Sequence, residues 1–506
     1  MSPNLLDLLR RHAATTPEAP CLTLDSETLS FRDLNARSSR LANALIAQGV
    51  KPGDRIAVIA RNALAHYELF FGCAKAEAIL LPVNWRLAPR EIAAIMADAE
   101  PRIVIVEEDL RPLLADLAVS PEIIDLAGAY SAWRDGASAT DPGGPTAPDD
   151  PQLILYTSGT TGLPKGVMLS HDNLSYLGRM AQELWAFGAD SVNLVSMPLF
   201  HIGGIGYGMT GLSQGGHTVL MQQVVPVEII DAFRAHGVTH AFFVPTVVQM
   251  LLDVPGVAEM NLTSLQRILY GGAPISEAVL KRAIDVFGCG FMHTYGMTET
   301  AGTVVMLASE DHDPGGPLAH RLRSCGRPMP WVELALIDPA TGDAVATGDV
   351  GEIRIRSAVN MLGYWRKPGE TADAVTDDGW LRTGDAAYRD ADGYIYIHDR
   401  FKDMIVSGGE NIYPTEVENV LYDHPHVAAV AVIGVPHPRW GETPKAYVVA
   451  KAGASPTEAA LIAFTRERLA HYKCPTAVAF VAELPRNASG KILKREMRDA
   501  AWMQAQ

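Results

Sequence analysis

Apolar and polar positions follow two interleaved rhythms along this chain. Residues 34–48 carry apolar side chains at helical spacing and stop at Gly49. The turn Lys51-Pro-Gly-Asp54 then introduces a short apolar run at 55–60, which predicts a buried strand. Residues 66–77 predict a helix, 78–83 a strand, 91–99 a helix and 102–107 a strand. That succession predicts a doubly wound α/β sheet, and a second α/β run covers about 191–295. From 325 to 397 the texture changes to short strands broken by turns such as Asp338-Pro and Asp377-Asp-Gly, which predicts a β-rich subdomain. Beyond it, 414–423 and 457–469 read as helices and 427–434, 445–450 and 477–481 as strands, a small α+β unit. The segment 135–151, rich in Gly, Ala, Asp, Thr and Pro, reads as a surface loop or joint. The expected organisation is a large N-terminal domain over 1–400 and a small mobile C-terminal domain over 401–506.

Composition narrows the class. A chain of 506 residues exceeds what one hydrophobic core serves, and 48% apolar with 20% charged residues excludes disorder or fibre formation as the main state. The net charge of −16 makes nucleic acid a poor partner, because counterion release needs clustered Lys and Arg. Cys21, Cys73, Cys289, Cys325 and Cys474 are scattered and never form a CxxC pair, which argues against a disulfide frame or a zinc site and for a reducing, cytoplasmic setting. No signal peptide or spanning helix is read, and peripheral membrane contact stays open. A monomer or homodimer is expected.

The most informative segment is Tyr156-Thr-Ser-Gly-Thr-Thr-Gly-Leu-Pro-Lys-Gly166. Thr157, Ser158, Thr160 and Thr161 supply hydroxyls, Gly159 and Gly162 let successive N–H groups face one anion, and Lys165 adds positive charge. These are parts for gripping a polyphosphate. The loop is not a Walker loop, which needs Gly-Lys-Ser/Thr opening a helix.

This segment resembles the signature loop of the adenylate-forming superfamily, which includes acyl-CoA synthetases, peptide-synthetase adenylation domains and luciferases. Further blocks follow in that family's order: Tyr295-Gly-Met-Thr-Glu299, Thr383-Gly-Asp385, Asp399-Arg-Phe-Lys402 running on to Asn411, and Pro485-Arg-Asn-Ala-Ser-Gly-Lys491. The resemblance implies an ATP-dependent acid:CoA ligase that forms an acyl-adenylate, releases pyrophosphate and passes the acyl group to coenzyme A. ATP, Mg²⁺ and CoA are the implied small molecules. Glu299, together with Thr160, is the implied magnesium site, and Thr298 and Glu299 belong to the catalytic set. Tyr295, Gly296 and Met297, with Gly271, Gly272, Ala273 and Pro274, are expected around the adenine, and Asp385 and Arg400 at the ribose or phosphate. By itself Thr-Gly-Asp is a turn more often than a site.

Lys402 is the implied hinge, where many relatives carry Asp. Lys491 is the implied catalytic lysine, reaching carboxylate and α-phosphate in one pose of the small domain and leaving in the other. Gly408 and Gly409 would then line a pantetheine tunnel. Trp440 stacks on the CoA base or is plain core, and Lys473 is a candidate for a CoA phosphate.

Between Val192 and Val227 there is no Lys, Arg, Asp or Glu. His201, within Pro198-Leu-Phe-His-Ile-Gly-Gly-Ile-Gly-Tyr-Gly208, closes the acyl site by resemblance, with 244–246 along its wall. A charge-free pocket argues for a fatty acid, with an aryl acid as the alternative, since a second carboxylate needs a buried counter-ion. The glycines are expected to leave room for a long chain. Gly206-Tyr-Gly-Met-Thr-Gly211 matches GxGxxG, but no strand leads into it, which argues against a dinucleotide site. An acyl-AMP ligase loading a carrier protein makes the same adenylate; the absence of a carrier domain after Lys491 favours free CoA.

Overall fold

The computed structural model describes residues 3–144, 147–157, 164–273, 275–400, 403–407, 410–486 and 492–504, without the side chains of 399, 400, 411 and 504. Among these residues four sheets form. The largest runs, in spatial order, Arg327–Pro328, Gly302–Leu307, Gly290–Met297, Arg267–Gly271, His240–Phe243, Val192–Val195, His217–Leu220, Pro20–Leu24 and Glu27–Ser30. Its six inner strands, from Gly290–Met297 to Pro20–Leu24, are parallel, and antiparallel strands close both edges. A second sheet runs Gly363–Tyr364, Lys165–Ser170, Pro151–Thr157, Ile79–Pro82, Arg55–Ile59, Ile103–Val106 and Glu122–Asp125. It is parallel except at its first two strands. Parallel sheets are covered on both faces, which is why their strands read as unbroken apolar runs.

The two sheets share one hydrophobic core. Helix Leu64–Lys75 touches strands of both sheets, and every one of its residues is buried. Helix Ile202–Ser213 is buried almost as completely. The helix expected over 34–48 starts earlier, at Phe31. Ser30 Oγ accepts the Asp33 N–H at 3.1 Å, and the Asp33 carboxylate accepts the Ser30 N–H at 3.0 Å. This reciprocal cap satisfies donors that the first turn leaves orphaned.

Residues 136–144 form an exposed surface loop, as expected, and side chains from earlier helices tie it down. Arg10 pairs with Asp141, Arg40 donates to the Ala137 carbonyl at 2.7 Å, and Asn43 donates to the Ser138 and Thr140 carbonyls at 2.8 Å each. Beneath it Lys75 is fully enclosed. Its Nζ donates to Asn35 Oδ1 and Ser39 Oγ at 2.8 Å and to Ser38 Oγ at 3.0 Å, and lies 3.5 Å from Asp141. A buried ammonium is tolerated only with such partners.

The β-rich stretch is an antiparallel sheet of Glu333–Ile337, Gly351–Arg356, Leu381–Arg389 and Ile395–Arg400. The C-terminal part has its own sheet, built on the long hairpin Val427–His437 and Gly441–Ala450. Helices Pro414–Tyr422 and Glu458–Arg466 share one apolar cluster of this part, and Met497 of helix Lys494–Gln504 joins a second. No helix among the described residues is long and apolar enough to cross a membrane. All five cysteines are free.

Candidate functional site

In open parallel sheets the loops after the strands' C-terminal ends collect ligands. In the larger sheet those ends are Val195, Phe243, Gly271 and Met297, and the segments that follow them are the ones singled out above. The loop after Val195 is fixed by a residue that the sequence did not flag. Asn62, 5% exposed, donates to the Met197 and Met221 carbonyls at 3.0 Å each and accepts the Leu199 N–H at 2.9 Å. This loop delivers His201 as the N-cap of helix Ile202–Ser213, where His201 Nδ1 accepts the Gly203 N–H at 3.1 Å. The acceptor role of Nδ1 puts the proton of the neutral ring on Nε2.

The GxGxxG match lies inside this helix, so it forms no phosphate turn. Nor do its glycines open a channel. A methyl on Gly208 would strike the Tyr67 hydroxyl, one on Gly204 the Pro198 carbonyl, and one on Gly211 would meet Asn193 Cβ at 2.9 Å. They permit close helix packing, so these three positions leave no room for an acyl chain. Gly203 is the glycine that abuts Phe242, with His201 beside it.

At the next strand end Gly271 and Gly272 divide their roles. The space a side chain would need at Gly271 is filled by Thr294. Gly272 has φ +79°, and a methyl there would meet only Val244, at 3.6 Å. Gly272 is therefore the position that leaves backbone accessible, with Ala273 beside it. Strand Gly290–Met297 ends in the short helical turn Thr298–Thr300, closed by Thr300 Oγ1, which accepts the Met297 N–H at 3.0 Å. Gly296 is imposed by packing, since a methyl there would collide with the Gly302 carbonyl. The turn buries Thr298 to 7% and Glu299 to 8% exposure.

Tyr295 donates to Asp385 at 2.7 Å. Burial, then the Asp385 charge, holds its phenol well above the ordinary range. Asp385 stands within strand Leu381–Arg389 rather than in the tight turn expected. Gly384 before it has φ +71°, and Thr383 Oγ1 accepts the Asp385 N–H at 3.1 Å. Across the ladder Asp385 faces Arg400.

The two ends of the segment 156–166 lie on paired antiparallel strands of the second sheet, where Thr157 pairs with Lys165. Lys165 forms an ion pair with Glu370 and lies 5.0 Å above the Tyr364 ring. The Tyr364 hydroxyl in turn donates to Glu299 at 3.0 Å. Burial, followed by Glu299, raises the Tyr364 phenol. Tyr364 and Glu370 were not anticipated. Their segment, Gly363-Tyr-Trp-Arg-Lys-Pro-Gly-Glu370, carries no motif chemistry, and only its pairing with Lys165–Ser170 brings it to the site.

In the small domain Trp440 is 44% exposed, so it is not core. It sits at the tip of the long hairpin with Arg439 stacked on it at 4.4 Å. Lys473 is engaged by both Glu416 oxygens at 2.8 Å, which leaves it a poor candidate for a phosphate in this pose. Ser158, Gly159, Thr160, Thr161, Gly162, Pro274, Lys402, Gly408, Gly409, Lys491 and the Arg400 side chain lie outside the described residues.

The AMP-binding enzyme profile matches residues 9–365, and the profile of the AMP-binding enzyme C-terminal domain matches 416–491. A fatty acid–[acyl-carrier-protein] ligase, ScoC, from Streptomyces coeruleorubidus is 40% identical over 500 residues, covering 97% of this chain and 95% of its own. A feruloyl-CoA synthase from an Amycolatopsis species is 40% identical over 489 residues, covering 96% and 97%. Among solved structures, ATP-bound MatB from Rhodopseudomonas palustris superposes with a TM-score of 0.92 at 31% identity, covering 99% of both chains.

Proposed function

The chain belongs to the AMP-binding enzymes, and from that premise we propose that it joins a carboxylic acid to coenzyme A through an acyl-adenylate, releasing AMP and pyrophosphate. It is an AMP-forming acid–thiol ligase. The observation that carries the residue assignment is the convergence of Lys165, Tyr364, Glu299, Tyr295 and Asp385 from three sheets at the loop edge of the larger sheet.

Forming an acyl-adenylate drives a carboxylate against an anionic α-phosphate. The enzyme must screen that repulsion, align attack and stabilise departing pyrophosphate. In this reading the phosphate loop 157–165 grips the triphosphate and Asp385 accepts the ribose hydroxyls. Tyr295, Gly272 and Ala273 cradle the adenine. His201, Phe242, Val244 and Thr298 line the acid, and Lys491 draws carboxylate and α-phosphate together. At 4 Å and an effective dielectric of 20 such a charge pair is worth about 4 kcal/mol, roughly a thousandfold in rate. Lys491 then withdraws as the small domain turns on Lys402, admitting the pantetheine arm along Gly408 and Gly409, with Trp440 against the CoA base.

The residues fit magnesium. Glu299 is a buried hard-oxygen donor, and among the described residues no cluster of three His, Cys, Asp or Glu forms. Glu299 and Thr160 would be the ion's protein ligands, beside phosphate and water oxygens. When bound, it supplies charge screening on the triphosphate.

The stretch from Val192 to Val227, which holds no Lys or Arg to receive a second carboxylate, supports an acid without a second charge. A fatty acid in a cytoplasmic setting is the first reading. The filled flanks of Gly204, Gly208 and Gly211 favour a compact acid, so an aryl acid is the second.

The deciding experiment is acid-dependent ATP–pyrophosphate exchange over a panel of fatty, aryl and dicarboxylic acids, followed by thioester formation with free CoA or a phosphopantetheinylated carrier. Exchange with uncharged-tail acids and transfer to CoA are expected. Transfer to the carrier alone would overturn the acceptor assignment. Lys491→Ala is expected to lose at least a hundredfold in exchange while premade acyl-AMP still reacts with CoA; equal loss in both steps removes the role of Lys491.

A further inference from the structure

Residues 361–365 touch both halves of the nucleotide site through their backbone. The Met361 N–H donates to the Glu299 carbonyl at 2.8 Å. The Leu362 N–H donates to the Met168 carbonyl at 3.0 Å, and the Trp365 N–H to the Gly166 carbonyl at 2.7 Å. One short segment therefore fixes the stem of the phosphate hairpin, in the second sheet, against the Glu299 turn, in the larger sheet. The segment is itself anchored, because Thr371 Oγ1 accepts the Tyr364 N–H at 2.9 Å and donates to the Lys367 carbonyl at 2.9 Å.

Tyr364 repeats this bridge with its side chain. Its ring faces the Lys165 ammonium at 5.0 Å, and its hydroxyl donates to Glu299 Oε1 at 3.0 Å. Lys165 and Glu299 thus contact the same phenol, and a cation and an anion addressing one ligand would ordinarily pair and cancel. Here the ammonium pairs with Glu370, and the Glu299 carboxylate accepts from the neutral phenol. A phenol is suited to the task. Its π face attracts a cation while its edge hydroxyl donates to an anion, and it carries no charge that would repel either.

We propose that Tyr364 is a positioning residue for metal-bound ATP: its ring holds Lys165 and its hydroxyl orients Glu299, so that both address one triphosphate without neutralising each other. This rests on the reading of Glu299 as a magnesium ligand. Outer partners that orient a metal-binding carboxylate typically change metal affinity about 10- to 100-fold when removed. A hydroxyl deletion that spares the ring should thus act on MgATP, and ring deletion should act on ATP with or without metal.

The test is equilibrium binding of ATP by calorimetry to the full-length protein, without acid, in Mg²⁺ and in EDTA. Tyr364→Phe and Tyr364→Leu are compared with the unsubstituted protein, and melting temperature reports folding. Tyr364→Phe is expected to weaken MgATP binding about tenfold and leave metal-free ATP within twofold. Tyr364→Leu is expected to weaken both. Equal weakening of both forms by Tyr364→Phe would indicate packing alone and overturn the proposal, as would no change in either. Acid-dependent pyrophosphate exchange by the unsubstituted protein separates the two levels. Its absence defeats the ligase reading, whereas exchange with an unaffected Tyr364→Phe defeats this inference only.

Discussion

The phenol of Tyr295 donates to the carboxylate of Asp385 at 2.7 Å, tying the loop end of a strand in the larger sheet to the antiparallel sheet beside it. Both groups are drawn from water, and burial with the neighbouring Asp385 charge keeps the phenol protonated across the neutral and moderately alkaline range. The bond holds Asp385 still while leaving it further acceptor capacity. On the ribose assignment two charge-assisted bonds depend on it, together worth about 3 kcal/mol. Asp385→Ala is therefore expected to raise the apparent KM for ATP about a hundredfold, with the KM for the acid within a few-fold of the original. Steady-state kinetics over both substrates checks this, and an effect confined to the acid would contradict it.

Four buried histidines are expected to limit the fold's tolerance of acid. His66, His171, His240 and His312 are each at most 9% exposed, and burial lowers each to about 4. In the unfolded chain they titrate near 6.5. With depressed folded values, the stability they allow is present above pH 6.5 and drains away as pH falls towards 4. Each forfeits about 2 kcal/mol by pH 5, and together about 8 kcal/mol, comparable with a typical total. Unfolding followed by far-UV circular dichroism is expected to have its midpoint near pH 5, with uptake of more than one proton. A midpoint below pH 4 would show that these rings protonate in place.

Adjacent glycines in the helix Ile202–Ser213 should behave oppositely. Alanine at 204 drives its methyl into the Pro198 carbonyl, a backbone atom with nowhere to move, and Gly204→Ala is expected to be insoluble or to melt many degrees lower. Alanine at 203 meets Phe242 Cε1 at 3.1 Å and His201 Nδ1 at 3.3 Å, side-chain atoms that can shift by a few tenths of an ångström. Gly203→Ala is expected to fold and to lose bulky acids first, read as a narrowed acid panel in pyrophosphate exchange. A folded Gly203→Ala protein with an unchanged panel would place the acid elsewhere.

Legibility differed from part to part of the molecule. The helix beginning at Phe31 starts three residues before its apolar stripe, because the Ser30–Asp33 cap lies upstream of that stripe. The loop after Asp135 is legible from its composition, but its anchoring is not. What holds it, Arg10, Arg40 and Asn43, lies far back in the chain. Tyr67, which blocks Gly208, is equally remote, so a glycine-rich helix looked roomy when it is packed.

By itself the sequence determined the alternation of strands and helices, the hydroxyl-rich glycine segment 156–166, the Tyr295–Glu299 and Thr383–Asp385 blocks and the charge-free stretch. All of these are written in residues adjacent along the chain, where periodicity and spacing carry the information. Only the tertiary structure decided that Tyr364 stands between Lys165 and Glu299 and that Glu370 takes up the lysine's charge. A two-residue strand nearly two hundred positions from its partner has no periodicity of its own. Its place is set by the pairing energy of the folded sheets, and nothing local along the chain encodes that.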